Sequence, residues 1–161
     1  GSDEWKYRFR FNPSLKKKYQ GAKLSFEELS MLYSTATIFL NLPAPQVFMG
    51  FQPRVFEIAG CGGFQIADNR FLLRYLFSDD ELVVFDSIPD LIEKIDFFLS
   101  HEKERSSIAT KLYQRVIKQY TWKHWAIRLI DTINTRVGIE DLDLKIMKMG
   151  KRELKEYLQN A

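Results

Sequence analysis

The chain is expected to fold as a single α/β, Rossmann-like domain: a parallel sheet with helices on both faces, followed by a helical C-terminal tail. Three observations lead there. Strand-like and helix-like stretches alternate three times through the middle, the pattern of a parallel sheet with crossover helices. The strand candidates are short and apolar throughout, as strands covered on both faces must be. With 161 residues, 45% of them hydrophobic and 28% charged, the chain can build one ordinary core but not two such domains.

Trp5 to Phe11 alternates aromatic and basic residues, so period two predicts a half-buried edge strand with aromatics on one face and cations on the other. Asn12-Pro13-Ser14 reads as a turn and Lys16-Lys17-Lys18 as a solvated run. Ser25 with Glu28 three residues later is a capping box, opening a helix to about Tyr33. Thr35 to Leu40 is small, branched and aromatic, a buried strand, with Asn41 at its C-terminal end. Leu42 to Pro53 holds three prolines and Gly50, a loop long enough at the ligand edge of a sheet to suggest function.

The central stretch runs from Arg54 to Asp68. It reads as a short helix, a glycine-rich turn at Gly60, Gly62 and Gly63, and a buried strand from Phe64 to Ala67. Arg54 and Glu57 are three apart and share a helical face. The helix N-terminus offers free amides suited to a phosphate, and Asp68, Asn69 and Arg70 follow the strand at the edge where open α/β sheets take ligands. Spacing alone favours tight helix–sheet packing over a ligand site. Phe71 to Phe77 is then a short helix and Glu81 to Phe85 a third strand. Ser87 caps the next helix, with Pro89 in its first turn and Asp90 at the third position. After a break at Ser100-His101 come a helix from Glu102 to Lys118 and one from Trp122 to about Arg136, capped by Thr121 and ended by Gly138. The expected division is residues 1–137 as the domain and 138–161 as a charged amphipathic extension; Gly1-Ser2 looks like a scar of tag removal.

Arg54-Val55-Phe56-Glu57 with Gly60-Cys61-Gly62-Gly63-Phe64 resembles the signature of the CgeB-like (spore-protein type) glycosyltransferases, which belong with the retaining GT-B enzymes. The flanks are similar too: Leu24-Ser25-Phe26-Glu27-Glu28-Leu29, Ile38-Phe39-Leu40-Asn41, and the helices around Leu91–Leu99 and Tyr120-Thr121-Trp122. The resemblance covers roughly Tyr19 to Ile133. It implies that the chain is the C-terminal, donor-binding half of a GT-B fold, completed by an N-terminal Rossmann-like domain and moving a sugar to a glycan or protein acceptor. Glu57 would hydrogen-bond the ribose hydroxyls of a nucleotide sugar and Arg54 would assist its phosphate. Asn41 and Asp68 would border the pocket, and the Gly62-Gly63 turn would approach the sugar or diphosphate through backbone. The relatives' second donor carboxylate, eight residues earlier, is Met49 here.

The alternatives are a non-enzymatic assembly module built on the same fold and, less in keeping with the chain, a nucleic-acid binder. Net charge is only +3. Residues 1–23 hold seven of the cations against two acids, but the aromatics and cations of Trp5–Phe11 point to opposite sides and cannot both serve one nucleic-acid strand. Neither metal nor cofactor is expected beyond the donor itself: His101 and His124 lack ligand spacing, and no nucleophilic triad or phosphate loop occurs. The single Cys61 excludes an internal disulfide and fits a reducing, cytoplasmic setting. No membrane span is expected. A face left bare by a missing domain could support homodimers.

Overall fold

Helix α1 (Pro13–Lys18) starts on a proline, where the missing N–H and the fixed φ are both suited to a first helical residue. The expected turn at Asn12-Pro13-Ser14 is therefore the opening of a short helix, and Lys16, Lys17 and Lys18 form its exposed last turn. The computed structural model describes residues 9, 11–19, 21, 24–42 and 50–137. The expected strand at Trp5–Phe11 (Phe9 and Phe11 apart), residues 43–49 with Met49, and the extension 138–161 lie outside the described residues.

Helix α2 (Phe26–Thr35) carries the capping box as read: Ser25 Oγ accepts from the Glu28 amide at 3.1 Å and Glu28 accepts from the Ser25 amide at 2.7 Å. It runs two residues beyond the expected end. Ser34 and Thr35 donate their hydroxyls to the Met31 carbonyl at 3.0 and 2.8 Å, which holds both in the last turn and delays the strand. Strand β1 is thus Phe39–Asn41. Helix α3 (Arg54–Gly60), strand β2 (Gln65–Asp68), helix α4 (Phe71–Leu76) and strand β3 (Val83–Phe85) follow. Glu81 and Leu82, expected in β3, belong instead to a turn whose amides both donate to the Ser78 carbonyl. Helices α5 (Ile88–Ser100), α6 (Glu102–Gln119) and α7 (Trp122–Val137) complete the described chain.

The sheet is parallel, in the order β1-β2-β3, with Asn41 opposite Ala67 and Asp68 opposite Phe85. Alternation along the strands sends side chains into two cores. Ala67 and Val84 meet Val55 and Ala59 of α3, Leu73 of α4, Leu112 and Val116 of α6, and Tyr120 just past the end of α6. Ile66, Val83 and Phe85 meet Leu91 and Phe98 of α5 and Ala109 of α6 on the other face. Both faces are covered over β2 and β3, as their continuous apolar runs require, whereas Leu40 in the expected buried strand is 45% exposed because β1 lies at the sheet's edge; the arrangement is Rossmann-like. Among the described residues no helix is long and apolar enough to cross a membrane.

Candidate functional site

The strands are parallel, so their C-terminal ends share one edge of the sheet, and the helices that follow β1 and β2 start there. Asn41 ends β1 and Asp68 ends β2 on that edge. Asn41 is only 3% exposed. Its Nδ2 donates to Gln65 Oε1 at 3.1 Å, and Gln65, 1% exposed, donates onward to the Val55 carbonyl at 2.8 Å. This buried relay ties β1, β2 and α3 together at the point where α3 leaves the edge. Asp68 is paired with Arg70 at 2.5 Å, and both side chains are about a quarter exposed. Next to them the Asn69 amide donates to the Phe85 carbonyl, and Asn69 Nδ2 donates to Asp86 at 2.5 Å. A narrow cleft between Asn41, Gln52, Val55, Asp68 and Arg70 lies along this edge.

Arg54 and Glu57 stand in the first turns of α3, both exposed. Tyr33, near the end of α2, sits with them. Burial pushes its hydroxyl pKa above the ordinary tyrosine value; the Arg54 guanidinium beside it pulls the other way, and the Glu57 carboxylate adds to the rise. The backbone does not offer the phosphate seat that the sequence suggested. Helix α3 has seven residues, and the Val55, Phe56 and Glu57 amides already donate to the Gln52 and Pro53 carbonyls. An anion at this end would depend on the Arg54 side chain.

The glycine turn lies elsewhere. Gly62, with φ +77°, stops α3 in the left-handed conformation, and Gly63 leads into the N-terminal end of β2. That is the opposite edge from Asn41 and Asp68. A Cβ on Gly63 would fall 2.3 Å from the Tyr33 carbonyl oxygen and 2.9 Å from Ile58, so this glycine is required by the approach of α2. The structure therefore groups Arg54 and Glu57 on α3, and Asn41 and Asp68 at the strand ends. It leaves Gly62 and Gly63 across the sheet from that edge.

A wide groove adjoins Glu57. It encloses about 610 Å³ between α2, α3, α6 and the start of α7. Phe51, Phe56, Tyr120, Trp122 and Trp125 form much of its wall, with Phe26 at the rim. Phe56 is the hub: its ring centroid lies 5.4 Å from those of Phe51 and Tyr120, 6.0 Å from Phe77 and 6.3 Å from Trp125. Sequence reading treated these aromatics as core or left them unassigned. The available signal was Phe56 beside Glu57 in the helix, together with tryptophans at 122 and 125, one helical turn apart. Cys61 Sγ reaches the groove 3.5 Å from Ser30 Oγ. His124 takes a structural role, its Nδ1 accepting from the Thr121 amide at 3.3 Å at the start of α7. His101 stacks on Phe97 with ring centroids 3.8 Å apart. Among the described residues no group of three His, Cys, Asp or Glu could hold a metal ion.

Residues 1–131 match a protein family described as glycosyl transferase-like, Glyco_trans_1_2. A search of curated proteins returns no match.

Proposed function

The chain belongs to the glycosyl transferase-like family, and on that premise we propose that it is the nucleotide-sugar-binding half of a two-domain GT-B glycosyltransferase of the CgeB-like kind. The observation that carries this reading is Glu57: an exposed carboxylate on the helix that leaves the ligand edge of the sheet, at the position of the family resemblance's donor residue. Its two oxygens accept from the vicinal hydroxyls of a ribose. Arg54, three residues earlier on the same face, gives its guanidinium to the diphosphate. Asn41 holds the edge in shape through Gln65, and the Asp68–Arg70 pair borders the site.

In the reaction, the bond from the sugar's anomeric carbon to the diphosphate oxygen breaks. A bond from that carbon to the acceptor's hydroxyl oxygen forms, and the acceptor's proton passes to the departing diphosphate. The work of the protein is positioning and stabilisation of the leaving charge. The other Rossmann-like domain supplies the acceptor side of the cleft. The reading invokes no metal and places the reaction in the cytoplasm.

The test is a panel of nucleoside diphosphates and nucleotide sugars, followed by ligand-observed NMR on the chain and on Glu57→Gln. One nucleotide is expected to bind, with affinity at least about tenfold weaker in the variant and an unchanged melting temperature. Equal affinity in the two proteins removes Glu57 from the site. Arg54→Gln is expected to weaken diphosphates more than the matching nucleoside, because the guanidinium meets only the phosphate.

A further inference from the structure

We propose that the aromatic groove beside Glu57 holds the base of the donor nucleotide by stacking, and that this base is a purine. The proposal rests on the donor reading given above. A ribose held by its two vicinal hydroxyls sends its other substituents in opposite directions, the base to one side and the diphosphate to the other. Arg54 opens α3 and Glu57 follows three residues later, so the diphosphate lies toward Arg54 and the sheet edge. The base then lies on the far side of Glu57, where the groove begins. Glu57 lines that groove and Arg54 does not. Its volume of about 610 Å³ falls inside the range of small-molecule sites, roughly 300–1,000 Å³.

Charge sorts the two ends of the nucleotide in the same sense. Among the described lining residues Glu57 alone carries a formal charge. A diphosphate in the groove would meet a carboxylate and no cation, whereas a neutral base meets rings. The wall offers faces more than edges. Ser30 Oγ lies 3.5 Å from Cys61 Sγ, and Thr121 Oγ1 lies 2.8 Å from His124 Nδ1, so these polar atoms are taken up with each other. Stacking, which every base allows, then holds the guest, and its polar edge turns to the water at the open side. Phe26, 89% exposed, and Trp122, 82% exposed, stand at the mouth. Among the described residues neither ring packs on another aromatic, whereas Phe56 and Trp125 already meet each other, so Phe26 and Trp122 have faces left for a base. Where faces decide, the larger face binds better. The two fused rings of a purine cover more aromatic surface than the single ring of a pyrimidine.

The probes are ADP, GDP, UDP and CDP with adenosine and guanosine, titrated into the full chain and followed by tryptophan emission and ligand-observed NMR. ADP or GDP is expected to bind tightest, with UDP and CDP about tenfold weaker. Trp122→Ala weakens the purine diphosphate and its nucleoside alike, about tenfold each, in contrast to Arg54→Gln, which weakens the diphosphate alone. Ser30→Trp, which fills the groove from the exposed side of α2, abolishes binding of both. Circular dichroism checks that the variants fold. Tightest binding of UDP or CDP overturns the proposal and leaves the donor reading standing. Purine binding that Glu57→Gln weakens, but neither Trp122→Ala nor Ser30→Trp disturbs, does the same. Self-association that Ser30→Trp abolishes also overturns it, because the groove then belongs to a second copy of the chain. Purine binding that Ser30→Trp abolishes and Glu57→Gln leaves unchanged defeats the donor reading and, with it, the base assignment. Binding of none of the probes defeats both.

Discussion

Gln65 is the residue on which the site's framework turns. It is a polar side chain in a central strand, buried to 1% exposure, and it faces α3 because Phe64 and Ile66 take the opposite face. Replacing it with leucine would strand the Asn41 amide in the interior, and a buried unpaired donor costs about 1–3 kcal/mol. Gln65→Leu is expected to lose about that much in urea unfolding, while Asn41→Leu with Gln65→Leu recovers a good part of it. Strict additivity of the two single changes would show that the relay does not couple them. Gly63 makes a second case at this scale. Its Cβ position is blocked by backbone, which cannot swing away as a side chain can. Gly63→Ala is expected to cost about 1–3 kcal/mol by forcing α2 from the sheet, whereas Gly60→Ala, with nothing near its Cβ position, should leave stability unchanged or raise it. Equal effects at the two sites would refute the close approach of Tyr33. Glu57, by contrast, is exposed, so its substitution bears on ligands and not on folding.

At the scale of elements, α5 shows how a helix start can be both cap and anchor. The Asp90 amide donates to Ser87 Oγ at 3.3 Å, Asp90 accepts from the Asp86 amide at 2.9 Å, and Lys94 bridges Asp90 to the Val84 carbonyl of β3 at 2.8 Å on each side. The Lys94 contact, then the Asp86 amide, holds the Asp90 carboxyl below its ordinary pKa. A carboxylate whose folded pKa is depressed adds stability above its unfolded pKa. That contribution disappears as pH falls through the folded value. Melting temperature is therefore expected to fall more steeply below about pH 4 in the native chain than in Asp90→Asn, and parallel profiles would show that the cap contributes nothing. Helices α2 and α3 illustrate a different lesson. The Ser25–Glu28 cap was readable because it is made of residues three apart. The end of α2 was not, because two hydroxyls bonding backward to Met31 outweighed the strand preference of Thr35 and its branched neighbours.

Across the whole molecule, α6 is the member common to both cores: Ala109 packs on one face of the sheet, Leu112 and Val116 on the other. The two cores should therefore unfold together. Leu112→Ala is expected to cost about 2–5 kcal/mol, and tryptophan emission and far-ultraviolet circular dichroism should follow one transition in the native chain. Separate midpoints would mean that α5 and its core melt independently. Helix α6 also furnishes Val116 and Ile117, and its C-cap Tyr120, to the aromatic groove, so a change that loosens it reaches the groove as well.

The chain's own local chemistry set the alternating α/β order, the parallel sheet, the caps at Ser25 and Ser87, and the placing of Arg54 and Glu57 three apart in one helix. Each depends on residues within a few positions of each other, where period and capping act directly. Tertiary structure alone decided three further things. It put Gly62 and Gly63 on the edge away from Asn41 and Asp68, since the direction of β2 separates residues close in sequence. It turned Asn41 inward onto Gln65, because a partner 24 positions away satisfied its amide. It also gathered Phe26, Phe56, Tyr120 and Trp122 around Glu57, since burial between separate helices, and not spacing along any one of them, brings such side chains together.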